Sequence, residues 1–194
     1  MLVEDCLGGE KVRKKAIVVS MLILLMLAVP FVAVAQAGMG QTKQSFELDL
    51  KGKSVRTADT KYWLDGTIYQ ARGYSFVASY IELKVGGVVV DVVSYAVHID
   101  MMLDLATKQG VIRLWETLTL ADGSTVELKI DESLYHYGTT DYYAVGSFVG
   151  KGTGDLDGIL IVGKSGADMV PDLSSPTGES ALISRIGTVM GWPE

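Results

Sequence analysis

The sequence predicts an all-β fold, a single antiparallel meander barrel of about eight strands that follows an N-terminal signal or anchor helix. Three observations predict it. Apolar and polar residues alternate along several long runs after Ser45, which is the pattern of half-buried strands. Short turns rich in glycine separate these runs, and no run keeps the apolar spacing of a helix. Antiparallel chains of this size form barrels or sandwiches, and connections between successive strands favour a closed barrel.

The N-terminal region has the pattern of a secretory signal. Basic residues within 11–15 precede residues 16–35, which carry no charge, and small residues then offer cleavage after Ala35 or Ala37. The alternative is an uncleaved anchor, because about 20 apolar residues can cross a bilayer. We therefore expect a secreted or extracytoplasmic protein, either released or membrane-anchored through residues 16–35, with no other membrane contact.

The sequence divides into three predicted parts. Residues 1–37 are the signal peptide or anchor, 38–170 the β-barrel domain, and 171–194 a linker with a C-terminal segment. Proline, serine and glycine near the start of the last part indicate a loop. Residues 179–192 are compatible with a short helix or a final strand, and the sequence leaves this open.

The strands are predicted in chain order from their alternation and from the turns between them. In the first, Phe46, Leu48 and Leu50 alternate with charged residues. Asp122-Gly123 separates two alternating runs and predicts a tight hairpin. The other extended runs cover residues 68–85, 88–105, 111–120, 125–130, 142–149 and 159–162.

Composition excludes several classes of function. The only cysteine, Cys6, precedes the apolar segment, so the exported part has neither a disulfide nor a thiolate metal site. The net charge of −6 and the lack of a basic run in the exported part exclude nucleic acid as a partner. Asp155 and Asp157 lie in a glycine turn without the other ligands of a calcium loop. We therefore predict no metal and no cofactor.

Residues 158–165, GILIVGKS, fit the phosphate-binding pattern G-x-x-x-x-G-K-[ST]. A working loop of this type is a glycine turn that leads into a helix. Here residues 159–162 form an apolar, largely β-branched run that is typical of a strand. Gly166 and Pro171 follow too closely for a helix to begin at Lys164. We therefore predict no nucleotide binding.

The glycine-rich segment 146–158 leads a strand into the turn GKGTGDLDG and then into another strand. It resembles the hairpin of allene oxide cyclase-like and dirigent-like barrels, and residues 104–110 are similar to one of their interstrand turns. The resemblance covers residues 68–163 and implies a calycin-type, eight-stranded antiparallel barrel with a central cavity. No constellation of pocket acids matches the catalytic residues of those families, so the resemblance leaves activity open.

The candidates for catalysis are His98, Asp100 and Arg113. His98 and Asp100 share one face of a strand, and a histidine beside a carboxylate can act as a general base. No nucleophile lies at a recognisable spacing from them. The alternative is an exposed or simply hydrogen-bonded histidine.

The candidates for ligand binding are Trp115, Tyr142 and Tyr143. Trp115 and Arg113 alternate with a face that is apolar apart from Glu116, and such mixing of aromatic and polar residues occurs in ligand-lined barrels. The two tyrosines follow a glycine-containing turn, where they can grip a sugar or a protein. The alternatives are a tryptophan on the outer face and tyrosines that shield the barrel end.

Three functions remain open. The first is an exported barrel that binds a small apolar or amphipathic ligand or another surface component, since no catalytic set assembles. The second is an enzyme of the cyclase or isomerase type that acts in the barrel cavity through His98, Asp100 or Arg113. The third is a structural envelope protein anchored by its leader. A cavity that holds His98 and Arg113 together would favour the enzyme, and a filled barrel would favour the structural protein.

Overall fold

The computed structural model describes residues 42–171 and 179–193. These residues form nine strands and one short 3-10 turn, Gly154–Leu156. The strands are β1 (Lys43–Asp65), β2 (Ile68–Val85), β3 (Val88–Val90), β4 (Val92–Asp104), β5 (Gln109–Leu120), β6 (Thr125–Tyr135), β7 (Tyr143–Thr153), β8 (Leu160–Pro171) and β9 (Glu179–Met190). The predicted signal or anchor over 1–37 lies outside the described residues.

Eight of these strands close into a barrel, which confirms the predicted fold class. Successive strands pair antiparallel, β3 adds only a short edge to β2, and β1 pairs with both β2 and β9. Closure satisfies the backbone groups that an open sheet leaves at its edges. No helix within the described residues is long and apolar enough to span a membrane.

The core lies inside the barrel and follows the predicted alternation. Phe46, Leu48 and Leu50 are buried, whereas the charged residues between them face outward. The same alternation holds along β5 and β6, where every second side chain is buried. The hydrophobic effect, which favours the removal of these side chains from water, therefore drives the closure of the sheet.

Asp91 divides the predicted run 88–105 into β3 and β4. The register of β4 on β5 also shifts between Val92 and Ser94. Val93 is consequently exposed, although a regular alternation would place it on the same face as Tyr95. From Tyr95 onward the predicted alternation holds, because the register is regular again.

The C-terminal segment, whose structure the sequence left open, supplies the strand that closes the barrel. β9 pairs with β8 along its whole length and with β1 from Ser180 to Met190. Glycine disfavours a helix, and in the structure Gly187 lies in β9 where two strands approach closely. A Cβ at Gly187 would lie 2.2 Å from the carbonyl oxygen of Val162, so the two strands need a glycine there.

Two glycines also make room for two phenylalanine rings in the core. Gly163 and Gly187 face each other in register, with Phe148 beside the first and Phe46 beside the second. The phenylalanine ring centroids are 5.7 Å apart, and a Cβ at Gly163 would lie 2.6 Å from Cζ of Phe148. The glycines therefore provide the space that the two rings fill.

Candidate functional site

The barrel interior contains a cluster of ionic and polar side chains, which we call the buried cluster: Glu116, Glu132, Ser165 and Arg185. The Arg185 Nη2 donates to Glu116 Oε1 at 2.9 Å, and Nη1 donates to Glu132 Oε1 at 3.1 Å. The Ser165 hydroxyl contacts both Arg185 and Glu132. Arg185 has no exposed surface, and the other three are buried.

The strand register brings three of these residues together. Glu132 on β6, Gly146 on β7, Ser165 on β8 and Arg185 on β9 are successive partners across the sheet. Gly146 has no side chain, so nothing separates Glu132 from Ser165. Glu116 on β5 is 69 residues away from Arg185 in sequence and reaches it across the lumen.

The cluster holds two carboxyl groups for one guanidinium. Burial acts to lower the pKa of Arg185, but the negative charges of Glu116 and Glu132 outweigh it and raise this pKa above its usual value. Arg185 is therefore held as a cation, and its charge is shared between two acids.

Some polar atoms near the buried cluster make no hydrogen bond to the described residues. Glu116 Oε2, Arg185 Nε and the Tyr95 hydroxyl are buried and have no hydrogen-bond partner among the described residues. Burial, and next the charge of Glu116, raises the pKa of Tyr95 well above its usual value, so its hydroxyl is a neutral donor. Glu116 acts on the Tyr95 hydroxyl, so these two groups are neighbours, but none of the three atoms has a hydrogen bond of ordinary geometry to the described residues.

A cavity of about 30 Å³ adjoins the cluster. It is lined by Arg185, Glu132 and Tyr95 and otherwise mainly by apolar side chains such as Phe76 and Ile183. This volume is close to that of one water molecule, which occupies about 30 Å³ in the liquid. Ligand pockets start at about 300 Å³, so the interior as it stands is largely filled.

One side of the barrel is held less completely than the rest. β2 and β4 pair only between Ile68–Tyr74 and Ile99–Asp104. Residues 75–82 of β2 pair with β1 but not with residues 92–98 of β4, and we call this unpaired stretch the seam. The rings of Phe76 and Tyr95 fill it edge to face, 6.4 Å apart. Both rings line the cavity, so at the seam it is bordered by two side chains and not by hydrogen-bonded strands.

Tyrosines cover one end of the barrel. The Tyr69 and Tyr74 hydroxyls lie 3.2 Å apart, and Arg56 Nε donates to Tyr74 at 3.2 Å. Burial, and next the hydrogen bond with Tyr74, raises the pKa of Tyr69. Tyr142, from the loop between β6 and β7, is buried and packs edge to face on Tyr137 at 5.3 Å. Tyr142 therefore belongs to this cover, whereas Tyr143 stacks on Tyr135 at 5.2 Å.

The other predicted residues come together on the outside of the barrel. His98 Nε2 lies 2.8 Å from Asp100 Oδ1, and the His98 ring meets Trp115 at 5.4 Å. Arg113 Nε donates to Asp131 Oδ1 at 2.8 Å. His98 and Arg113 point outward because they alternate with buried residues of β4 and β5. The cavity that would favour the enzyme therefore does not hold them.

Asp100, Arg113 and Asp131 also line an open groove of about 440 Å³ on this outer face. Arg113 is paired with Asp131 there, and more than half of each of these two side chains is exposed. Exposed pairs of this kind are screened by water and bind weakly. The outer groove is thus less distinctive than the buried cluster.

The phosphate-binding pattern and the acidic turn have ordinary structural roles in the barrel. Most of the GILIVGKS stretch, from Leu160 to Ser165, lies in β8, and Lys164 is exposed on it. Asp155 and Asp157 lie in and after the 3-10 turn. No group of three or more His, Cys, Asp or Glu side chains within 42–171 and 179–193 is arranged to hold a metal.

The fold and this site define a closed eight-stranded β-barrel with an ionic cluster in its lumen. Comparisons with protein-family models, curated proteins and solved structures give no match to the chain. The sequence prediction missed Arg185, Glu132 and Tyr95. The available signals were Glu116 and Glu132, each the polar exception on an apolar strand face.

Proposed function

We propose that this protein is a small binding protein that takes up the polar head of an amphipathic molecule in the buried cluster. The observation that carries the proposal is the set of three buried polar atoms that have no hydrogen-bond partner within 42–171 and 179–193: Glu116 Oε2, Arg185 Nε and the Tyr95 hydroxyl. They offer an acceptor and two donors in a region that is otherwise apolar, which is the composition of a small-molecule site.

The energetics of the cluster support a binding role. Each buried polar atom without a partner costs about 1–3 kcal/mol of stability. Apolar side chains of similar volume in place of a buried ion pair often leave stability unchanged or raise it. Leucine or methionine at the positions of Glu116, Glu132 and Arg185 would therefore give a barrel of equal stability, so stability alone does not explain the cluster.

The seam offers a route for the ligand. Phe76 and Tyr95 are the side chains that separate the cavity from the outside there, and side-chain rotation is faster and less costly than breaking a strand ladder. Val77, Tyr80 and Val93 are exposed beside the seam. An apolar tail can lie against them while the head occupies the 30 Å³ cavity.

The proposal includes a relationship to the allene oxide cyclase-like and dirigent-like barrels and an extracytoplasmic location. The closed eight-stranded barrel and its glycine turn support the first. The basic residues and uncharged stretch before Gly38 support the second. Determining the N-terminal residue of the exported chain tests cleavage: a start at Gln36 or Gly38 fits a signal peptide, and an intact N-terminus fits an anchor.

A fluorescent probe tests the binding role. We expect N-phenyl-naphthylamine to bind the full chain saturably and to be displaced by decanol. A cluster variant, Glu116→Leu with Glu132→Leu and Arg185→Met, should lose the displacement by decanol. The matched control, Arg113→Met with Asp131→Asn, changes only the exposed outer pair and should retain it. Equal displacement in both variants would contradict the proposal.

A structural envelope role is the second candidate, favoured by the small volume left inside the barrel. This role requires no ligand. It predicts that neither the natural chain nor either variant binds the probe saturably, whereas the binding role predicts saturation in the natural chain.

A further inference from the structure

The first hairpin extends beyond the closed part of the barrel. β1 pairs with β9 only from Lys43 to Lys53. Its second half continues to pair with β2, as far as Asp65 opposite Ile68. We call residues 54–74 the ribbon. Beyond Lys53 its β1 half has no second neighbour among the described strands, so its outer edge is unpaired, and residues 61–65 are exposed on both faces.

Three successive apolar or aromatic residues are exposed at the ribbon tip. Tyr62 is 59% exposed, Trp63 39% and Leu64 61%. In an extended strand successive side chains point to opposite faces, so the exposed apolar side chains lie on both faces of the β1 half, whereas the β2 half pairs with β4 and buries Ala71 and Tyr74. The neighbouring turn adds Leu105, 41% exposed, whose N–H donates to the Thr67 carbonyl at 2.9 Å.

Arginines lie on the tip aromatics. The guanidinium carbon of Arg56 is 5.2 Å from the Tyr62 ring centroid, and that of Arg72 is 5.4 Å from the Trp63 ring centroid. With Lys61 the ribbon carries three cations against Asp59 and Asp65, whereas the whole chain has a net charge of −6. The neighbouring turn adds Asp104 and Lys108, so the tip region combines exposed apolar side chains with an excess of one positive charge on an acidic protein.

We infer that the ribbon tip inserts into the interface of a lipid bilayer that contains anionic lipid. Tyrosine, tryptophan and leucine beside arginine are the residues that favour the boundary between headgroups and acyl chains. A folded partner would cover one face of the tip, whereas a bilayer interface can take up both exposed faces of β1 there and bury Tyr62, Trp63 and Leu64 together. The cations meet the negative surface potential of such a bilayer. This contact is independent of the lumen and of any ligand there.

Tryptophan quenching in vesicles tests the insertion directly. The chain has three tryptophans, so Trp115→Phe with Trp192→Phe leaves Trp63 as the single reporter. Full-length protein is reconstituted in phosphatidylcholine–phosphatidylglycerol vesicles with brominated acyl chains. Since interfacial groups lie roughly 5–10 Å into the boundary, we expect Trp63 emission to shift to shorter wavelength and to be quenched. The matched reporter, Trp115 in Trp63→Phe with Trp192→Phe, should be quenched at least about twofold less.

A charge at the tip identifies the residues responsible. Leu64→Asp in the Trp63 reporter should lower the inserted fraction about tenfold, because it replaces a leucine that insertion buries with a carboxylate. Val88→Asp is the control, since Val88 is comparably exposed at 67% but lies opposite Val85, at the other end of β2 from the tip. Vesicles of phosphatidylcholine alone should reduce the quenching of Trp63.

Three results would overturn the inference. Equal quenching of Trp63 and Trp115 would mean that the tip is not the part that enters the lipid. Equal quenching in neutral and anionic vesicles would remove the role of the cations and of the anionic lipid. A blue shift of Trp63 that appears without vesicles as the protein concentration rises would identify a second copy as the occupant.

Discussion

At the residue scale, the unusual feature is a fully buried arginine inside a barrel that is closed by the pairing of its strands. Arg185 is surrounded by two carboxyl groups and a serine hydroxyl, and its Nε has no hydrogen-bond partner in the part of the chain that the structure describes. Desolvating three ionic side chains costs several kcal/mol for each, and their mutual attraction returns this only when the geometry is complete. The cluster is therefore sensitive to the loss of any one member.

Removing the cation alone should be much worse than removing the whole cluster. Arg185→Met leaves Glu116 and Glu132 buried without a cation, and we expect it to lower the free energy of unfolding by about 3–5 kcal/mol. The cluster variant removes all three charges and should be as stable as the natural chain or more stable. Urea unfolding midpoints measure both. Arg113→Met, which breaks an exposed pair, should cost less than about 1 kcal/mol.

Tyr95 should make the barrel sensitive to alkali. Its pKa is raised in the folded state, so above about pH 10 the unfolded chain ionises there while the folded chain stays protonated. The stability that Tyr95 contributes is thus complete below about pH 10 and falls as the pH rises toward the raised pKa. Tyr95→Phe should reduce the loss of stability between about pH 8 and 11 in urea unfolding. An exposed control, Tyr62→Phe, should leave that loss unchanged.

At the element scale, the turns decide how the strands meet. The hairpin predicted at Asp122-Gly123 is confirmed: Gly123 has a φ of +87°, and its N–H donates to the Leu120 carbonyl at 3.0 Å. The turn between β7 and β8 also needs glycine, since Gly154 and Gly158 have φ values of +67° and +88°. These backbone conformations strain any residue with a Cβ.

Replacing the turn glycines should therefore destabilise the barrel. Gly154→Val or Gly158→Val should cost about 1 kcal/mol or more, because a β-branched residue fits positive φ badly. Gly152→Val should also be costly, since its Cβ would lie 2.3 Å from the Leu156 carbonyl oxygen. Urea midpoints compare these with Lys151→Ala and Asp157→Ala, whose exposed charges should contribute well under about 1 kcal/mol. Five equal midpoints would contradict the hairpin.

At the scale of the whole molecule, β9 is the strand on which closure depends. It pairs with β8 on one side and β1 on the other, and it carries Arg185 into the lumen. Without it, β1 and β8 would present unpaired edges, and the apolar interior would open to water. The folding of β1 therefore depends on β9, although the two strands are far apart in the sequence.

Truncation tests this dependence. We expect residues 38–194 to fold without metal or reductant and to give a far-ultraviolet circular dichroism spectrum of the β type. The same chain ending at Gly178 lacks β9 and should lose that spectrum or aggregate, because two strand edges are exposed. A chain ending at Pro193 is the control. A helical spectrum for residues 38–194, or a folded truncated chain, would contradict this account.

Local pattern alone was enough for much of the fold. The run 68–85 is β2 as the alternation predicted, and the inward residues Phe46, Leu48 and Leu50 were identified from it. The reason is that side-chain direction in a strand has a period of two residues, so the sequence records which side chains are buried together. Glycine turns are local in the same way, since positive φ is a property of one residue.

The tertiary structure alone decided the closure and the candidate site. Glu116 and Arg185 are 69 residues apart, and their contact depends on the register of every strand between them. The predicted His98 and Arg113 lie on the outer face because the strands curve with their apolar side inward. The alternation in the sequence separates the two faces of a strand but does not show which face points into the barrel. Alternation fixes the two faces of each strand, whereas contacts across a lumen exist only once the sheet has closed.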